Sequence, residues 1–261
     1  RKVTERLAAD GHFVYAGARK EKDLAELDAI ENVQAIRLDV TKPAEIAAAV
    51  ETITKAGRGL YGLVNNAGVA VTGPFMDTKE EDFDFVMDVN TYGPFRVTKG
   101  FAPLIIASKG RITTISSISG ILSGANAGVY SMSKHAIEAF GDSLALQMES
   151  HGVKVSLVEP GNYNSEIGNT AARRMGTTTS LADRSKYKSP DEVADAVSLA
   201  LFEPEPKRRY LVVPNPYEGE ITIKKAIQEL VQLNEGHAYT YDRDTLVKML
   251  DEALATARPA R

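Results

Sequence analysis

Tyr130-Ser131-Met132-Ser133-Lys134 sets a phenol and an ammonium four residues apart. On a helix that spacing puts both side chains on one face. A cation beside a phenol favours the phenolate and lowers a pKa that starts near ~10. The pair is then a usable proton donor or acceptor close to neutral pH. The pattern is short, and alone it also describes two residues on a solvated helix face. Context strengthens it. Ser117 lies upstream, just past a strand-like run from Arg111 to Ser116. Gly120, Gly124 and Gly128 let the intervening segment fold back, so Ser117 can sit beside Tyr130 and hydrogen-bond a substrate oxygen. Ser116 and Ser119 offer the same hydroxyl, and spacing does not choose among the three. Asn65-Asn66-Ala67-Gly68 reads as a tight turn after a strand. Asn90 falls in a helical region, where Asn is mildly unfavourable.

Those residues need elements to hold them, and helical and strand-like runs alternate along the chain. Strand character marks His12 to Gly17, Val33 to Leu38, Leu60 to Val64, Arg111 to Ser116, Val153 to Val158 and Tyr210 to Val213. Helical character marks the start of the chain, Lys22 to Ala29, Ala44 to Lys55 and Tyr130 to Ser150. Thr78-Lys79-Glu80-Glu81 has the form of a capping box opening a long helix to about Ala107. Ser189-Pro190-Asp191-Glu192 has the same form before a helix to about Phe202. Two amphipathic helices close the chain. One carries Ile223, Ile227, Leu230 and Val231; the other carries Leu246, Met249, Leu250 and Leu254. This rhythm predicts a parallel sheet with helices on both faces, a doubly wound α/β fold. Ligands in such folds bind beyond the carboxyl ends of the strands, where the residues above lie.

The 261 residues hold 31 Lys+Arg against 35 Asp+Glu, a net charge of −4, so no basic excess points to nucleic acid. No apolar run reaches the roughly 20 residues that span a bilayer. Cysteine is absent, which excludes disulfides, thiolate metal sites and a thiol nucleophile. It fits a reducing compartment, and a cytoplasmic protein is the expectation. His12, His135, His151 and His237 form no ligand-spaced cluster, so no metal is expected.

Taken together, the residues resemble the short-chain dehydrogenase/reductase family, in the branch with an Asn-Ser-Tyr-Lys tetrad. The match comprises Asp39-Val40, Asn65-Asn66-Ala67-Gly68, Asn90, Ser117, Tyr130, Lys134 and Pro160-Gly161, in order, from about Arg1 to Val213. The resemblance implies a Rossmann-type sheet of strand order 3-2-1-4-5-6-7 and a nicotinamide cofactor. It implies that Tyr130 is the general acid or base, that Lys134 lowers its pKa and binds the nicotinamide ribose, and that Ser117 polarises the carbonyl. Asn90 would anchor a water in a proton relay to Lys134. Asp39 and Val40 would contact adenine, and Asn66, Ala67 and Gly68 the adenosine ribose. Pro160, Gly161, Tyr163 and Ser165 would face the nicotinamide end, Ser165 standing where the family more often has Thr. An acidic residue after the second family strand would favour NAD. Ala18 fills that position here and Arg19 follows, a residue type suited to a 2′-phosphate, so NADP is expected ahead of NAD.

The family's first strand and TGxxxGxG turn stand before its first helix, and this sequence opens on that helix. The expectation is therefore a chain lacking its central strand and phosphate-cradling turn, with roughly a dozen or more residues preceding Arg1, since a strand alone takes about 5–6. Residues 1–214 are expected to form one catalytic domain, with 215–261 a helical extension packed on it. Substrate contacts are expected between Tyr163 and Lys188, including Ile167, Met175, Leu181 and Tyr187, and in the last helices. The run Val89 to Thr98 resembles family members acting on hydroxysteroids, retinoids and other apolar alcohols or ketones. The expected function is an NADP-dependent oxidoreductase interconverting a ketone or aldehyde and an alcohol. A cofactor-binding regulatory or scaffold protein without turnover, or an epimerase or lyase, are the alternatives. The expected partners are a small-molecule substrate and, as the resemblance implies, a second or further copies of the chain in a homodimer or homotetramer.

Overall fold

The structure is a computed structural model and describes residues 1–176 and 186–256. The alternation read from the sequence becomes α1 (Lys2–Ala9), β1 (Val14–Ala18), α2 (Glu21–Asp28), β2 (Val33–Arg37), α3 (Pro43–Ala56), β3 (Gly62–Asn65), α4 (Glu80–Met87) and α5 (Gly93–Ala107). There follow β4 (Arg111–Ile115), α6 (Gly128–Glu149), β5 (Lys154–Pro160), α7 (Ile167–Arg174), α8 (Asp191–Phe202), β6 (Arg209–Val212), α9 (Pro216–Leu233) and α10 (Arg243–Thr256). Every strand pair is parallel. The α/β, Rossmann-type arrangement follows, with strand order β2-β1 in one block and β3-β4-β5-β6 in the other.

Burial explains the two-sided winding. On one face, Ile46 and Ile53 of α3, Phe101 and Ile105 of α5 and Met148 of α6 pack onto Leu63, Ile112 and Val155 of the sheet. On the other, Leu7 of α1 and Val197 and Leu201 of α8 pack onto Val158 and Tyr210. Fully buried side chains such as Ile105, Ile112 and Val197 each contribute about 1.5–3 kcal/mol. Strands covered on both faces must be apolar on both, which is why β5 reads as a near-continuous buried run.

The sheet is open between β1 and β3. Each pairs on one side only, and a cavity of about 910 Å³ lies between them, lined by Leu7, Tyr15, Ala16, Leu38, Leu63 and Phe101 among others. This opening stands where the sequence expectation put the family's first strand.

Local detail corrects three expectations. Neither capping box forms. Thr78 reaches the carbonyl of Pro74 at 3.4 Å, and Lys79 is the N-cap of α4, with no side-chain cap bond. Pro190 occupies the N-cap of α8, also without a side-chain cap bond. The long helix expected to Ala107 is two helices, α4 and α5, joined by a π-helical turn at Asp88–Tyr92. Residues 66–70 form no tight turn but an extended loop. Among elements not foreseen is α7, whose sequence carries few apolar positions.

The chain divides into two compact units, Arg1–Gly219 and Glu220–Arg261. In the second, no residue of α10 is buried, and Leu230, Val231, Leu250 and Leu254 are exposed. Among the described residues, no helix is long and apolar enough to cross a membrane.

Candidate active site

Tyr130 and Lys134 occupy the first turns of α6, whose start lies beyond the carboxyl end of β4. The Lys134 side chain is only 4% exposed, and its Nζ donates to the Ile115 carbonyl at 2.9 Å. Nζ lies 5.7 Å from the centroid of the Tyr130 ring. Burial pulls the Lys134 pKa down to about 8, and the nearby Glu138 carboxylate opposes that fall. An ammonium has three N–H donors, and one is taken by Ile115.

Asn90 sits in the π-helical turn, a feature that recurs at functional sites because it turns one side chain out of helical register. Its amide is 1% exposed and bonded across the fold at both its oxygen and its nitrogen. Oδ1 accepts from the Val69 N–H at 2.8 Å, and Nδ2 donates to the Val69 carbonyl at 2.9 Å and to Ser133 Oγ at 2.9 Å. Ser133 Oγ donates to the Tyr130 carbonyl at 2.7 Å. Asn90 thereby staples the loop after β3 to the helix that bears the Tyr-Lys pair. A Cβ placed on Gly68 would stand 3.7 Å from Asn90 Oδ1 and 3.8 Å from Lys134 Nζ, so the three positions converge.

Ser117 is the N-cap of a 3-10 turn, Ile118–Gly120, which packs on α6. Its Oγ accepts from the Ser119 N–H at 3.1 Å and lies 3.5 Å from the Pro160 carbonyl at the end of β5. Ser116 is buried at 3%, and its Oγ has no partner among the described residues. Of the three serines left open by spacing, Ser117 is the one whose hydroxyl reaches the end of β5. Asn65, one residue before the Asn66–Gly68 lip, ends β3 and is buried; its amide donates to Thr98 and Thr114 and locks β3 to α5 and β4.

The remaining residues line the carboxyl edge on either side. Asn66, Ala67 and Gly68 are exposed along the loop after β3. Arg19, exposed after β1, holds its guanidinium 3.9 Å from Asp39 Oδ2. Burial pushes the Asp39 carboxyl up, but bonds from the Thr41 hydroxyl and N–H, with Arg19 and Lys42 nearby, bring it below the usual value. Val40 packs against the start of α5, where a Cβ on Gly93 would come within 2.7 Å of it. Tyr163 is buried, and its hydroxyl donates to Glu192 at 2.5 Å, so only its backbone is left for a ligand. Pro160 ends β5 and Gly161 follows it, and Ser165 is exposed before α7. Of the substrate-side residues, Met175 lies beside Thr72, with its sulfur 3.4 Å from the hydroxyl. Leu181 lies outside the described residues.

Sequence reasoning passed over Ser133, although it stands inside the Tyr-Lys pentapeptide. It also missed a charge cluster behind the site. Arg209 of β6 lies 3.1 Å from Glu138, 2.7 Å from Asp142 and 3.2 Å from Glu159. Burial, followed by the Glu138 charge, pushes Glu159 up to about 8, with Arg209 opposing. Among the described residues, no group of His, Asp or Glu is arranged to hold a metal ion.

The family model for short chain dehydrogenase matches residues 1–175. This chain belongs to the short-chain dehydrogenase family. Membership places it among the NAD(P)-dependent oxidoreductases that act on CH–OH groups. Mitochondrial D-beta-hydroxybutyrate dehydrogenase of Mus musculus is 37% identical over 267 residues, covering 98% of this chain and 70% of that protein. The Bos taurus protein of the same name is 39% identical over 171 residues, and there the chain spans about half the relative's length. Retinol dehydrogenase 7 of Mus musculus is 37% identical over 171 residues, covering 64% of this chain and 54% of that protein. A short-chain dehydrogenase structure from Streptomyces avermitilis superimposes with a TM-score of 0.76 at 25% identity, covering 90% of each chain.

The site of this short-chain dehydrogenase fits the nicotinamide half of a dinucleotide. The buried Lys134 ammonium offers donors beyond its one bond to Ile115, matching a pair of ribose hydroxyls. The exposed lip at Asn66–Gly68 and the Pro160–Gly161 loop flank it on neighbouring strands.

Proposed function

We propose that the protein is an NADP(H)-dependent oxidoreductase that interconverts an apolar ketone or aldehyde and its alcohol. The observation that carries this reading is the buried Lys134 ammonium beneath the Tyr130 ring, 5.7 Å from its centroid. The nicotinamide supplies or takes the hydride when bound. Tyr130 Oη gives a proton to the carbonyl oxygen in reduction and takes it back in oxidation. Lys134 lowers the cost of the phenolate by its charge and holds the ribose with its remaining N–H groups. Ser117 Oγ holds the substrate oxygen beside Tyr130. Asn90 fixes Val69 and Ser133, and through Ser133 the Tyr130 backbone; one lone pair of its amide oxygen is left to hold a relay water.

NADP(H) is favoured over NAD(H) because Ala18 stands at the position for an acidic residue and Arg19 is exposed beside it. Its 3.9 Å pairing with half-buried Asp39 is long and is made by a guanidinium more than half exposed, so a 2′-phosphate can displace it. Asp39, Val40, Asn66, Ala67 and Gly68 are assigned to the adenosine half, and Pro160, Gly161, Tyr163 and Ser165 to the nicotinamide end. An apolar substrate is supported by Phe75, Met76 and Met175, all exposed, with Phe75 against Gly128 at the start of α6. Exposed Phe95 on α5 and Leu146 on α6 support a homo-oligomer, and the lack of cysteine supports a cytoplasmic setting. The test is a panel of ketones, aldehydes and alcohols followed at the nicotinamide absorbance with both cofactors. Turnover of apolar carbonyls with NADPH, abolished in Tyr130→Phe, is expected; equal turnover in the variant refutes the assignment.

A further inference from the structure

Gly161 and Asn162 follow β5 directly, and their backbone is held from the far end of the chain. The Gly161 N–H donates to the Val212 carbonyl at 2.8 Å. The Asn162 N–H donates to Glu218 Oε2 at 2.8 Å. Glu218 is 8% exposed, in the first turn of α9, and is itself held on both sides. Asn215 Nδ2 donates to its Oε1 at 3.0 Å, and its backbone N–H donates to Asn215 Oδ1 at 3.0 Å. A carboxylate in a first helical turn is also favoured by the helix dipole.

The contact is steric as well as polar. A Cβ at Gly161 would collide with Glu218 Oε2, and it would come within 3.0 Å of Pro214 and 3.2 Å of Val213. The loop therefore lies flat on the β6–α9 connection. Glycine is required at Gly161 because this carboxylate is there, and φ plays no part. The same loop is tied on its other side by Tyr163 to Glu192 and by the Asn164 N–H to the Lys188 carbonyl at 2.9 Å. Of these ties, only Glu218 uses a buried charge on the backbone of the residue next to Gly161.

We propose that Glu218 is a positioning residue: its carboxylate, braced by Asn215, sets the Gly161–Asn162 backbone against which the nicotinamide end of the cofactor lies. This rests on the assignment of Pro160–Ser165 to the nicotinamide end. A carboxylate accepts from Asn162 and Asn215 together; a glutamine has a single acceptor oxygen and can serve one of them.

The test uses the full chain and two ligands measured by calorimetry. One is NADPH or NADH, whichever the wild type binds more tightly; the other is the matching ADP-ribose, with or without the 2′-phosphate, which lacks nicotinamide. Glu218→Ala is expected to weaken the dinucleotide about tenfold, as for one hydrogen bond to a charged group. The ADP-ribose affinity is expected to stay within about twofold. Glu218→Gln is expected to fall between wild type and Glu218→Ala, and it serves as the reading if the alanine variant does not fold. Equal weakening of both ligands, or of neither, overturns the positioning role while leaving the site reading intact. Failure of the wild type to bind either dinucleotide overturns both.

Discussion

The two strand blocks place their functional residues in opposite ways. In β3-β4-β5-β6, the candidate chemistry rests on buried, mutually bonded groups: Lys134 on Ile115, Asn90 on Val69 and Ser133, and Ser133 on Tyr130. Beyond the ends of β1 and β2, exposed Arg19 meets half-buried Asp39 at 3.9 Å. Proton transfer needs atoms fixed within tenths of an ångström, and only burial with full hydrogen bonding supplies that. Selecting one cofactor over another needs only a charge within reach, and a solvated side chain supplies it.

The contrast can be broken at several points. Tyr130→Phe removes the acid and should cut turnover by about 10²–10⁴-fold with little change in thermal stability; steady-state kinetics beside a melting curve reads both. Asn90→Ala should strike stability as well as activity. It leaves the Val69 N–H and carbonyl buried without partners, at a cost of about 2–4 kcal/mol, so Tm should fall by roughly 5 °C or more. A variant that melts like the wild type would show that the network is not rigid. Arg19→Ala should leave Tm unchanged and raise KM for NADPH about tenfold with no change for NADH, a split that an idle surface residue would not produce.

The smallest effect concerns Glu159. Its folded-state pKa, about 8, lies above the ordinary carboxylate value of 4.5, because burial and the Glu138 charge favour the proton. Between those values the native state holds more protons than the unfolded chain, so stability is full below 4.5 and declines as pH rises towards 8. Glu159→Gln should flatten that decline, seen as Tm curves that approach each other at low pH and separate by about 2 °C or more near pH 8.

Much of the catalytic block was legible in the sequence because its signals are local. The i, i+4 spacing of Tyr130 and Lys134, and runs such as Val153 to Val158, declare their element without knowledge of their neighbours. The capping boxes misled for the same reason. Thr78 belongs to a 3-10 turn with Pro74, and Pro190 takes the N-cap that Ser189 was expected to fill. What escaped was long-range. Asn90 draws its partners from Val69 and Ser133, and Glu218 reaches back to Asn162, pairings no window of sequence contains. Ser133 could have been found: a hydroxyl three residues beyond Tyr130 is placed to bond that turn's carbonyl.

The opening between β1 and β3 bears on how the molecule behaves in company. Both strands turn a row of main-chain donors and acceptors toward a largely apolar cleft, and neither edge there carries a bulge or a strand-borne lysine to blunt it. Unpaired parallel edges accept further strands, so β1 and β3 along the cleft, like the outer edges of β2 and β6, offer main-chain groups with which an added strand can pair.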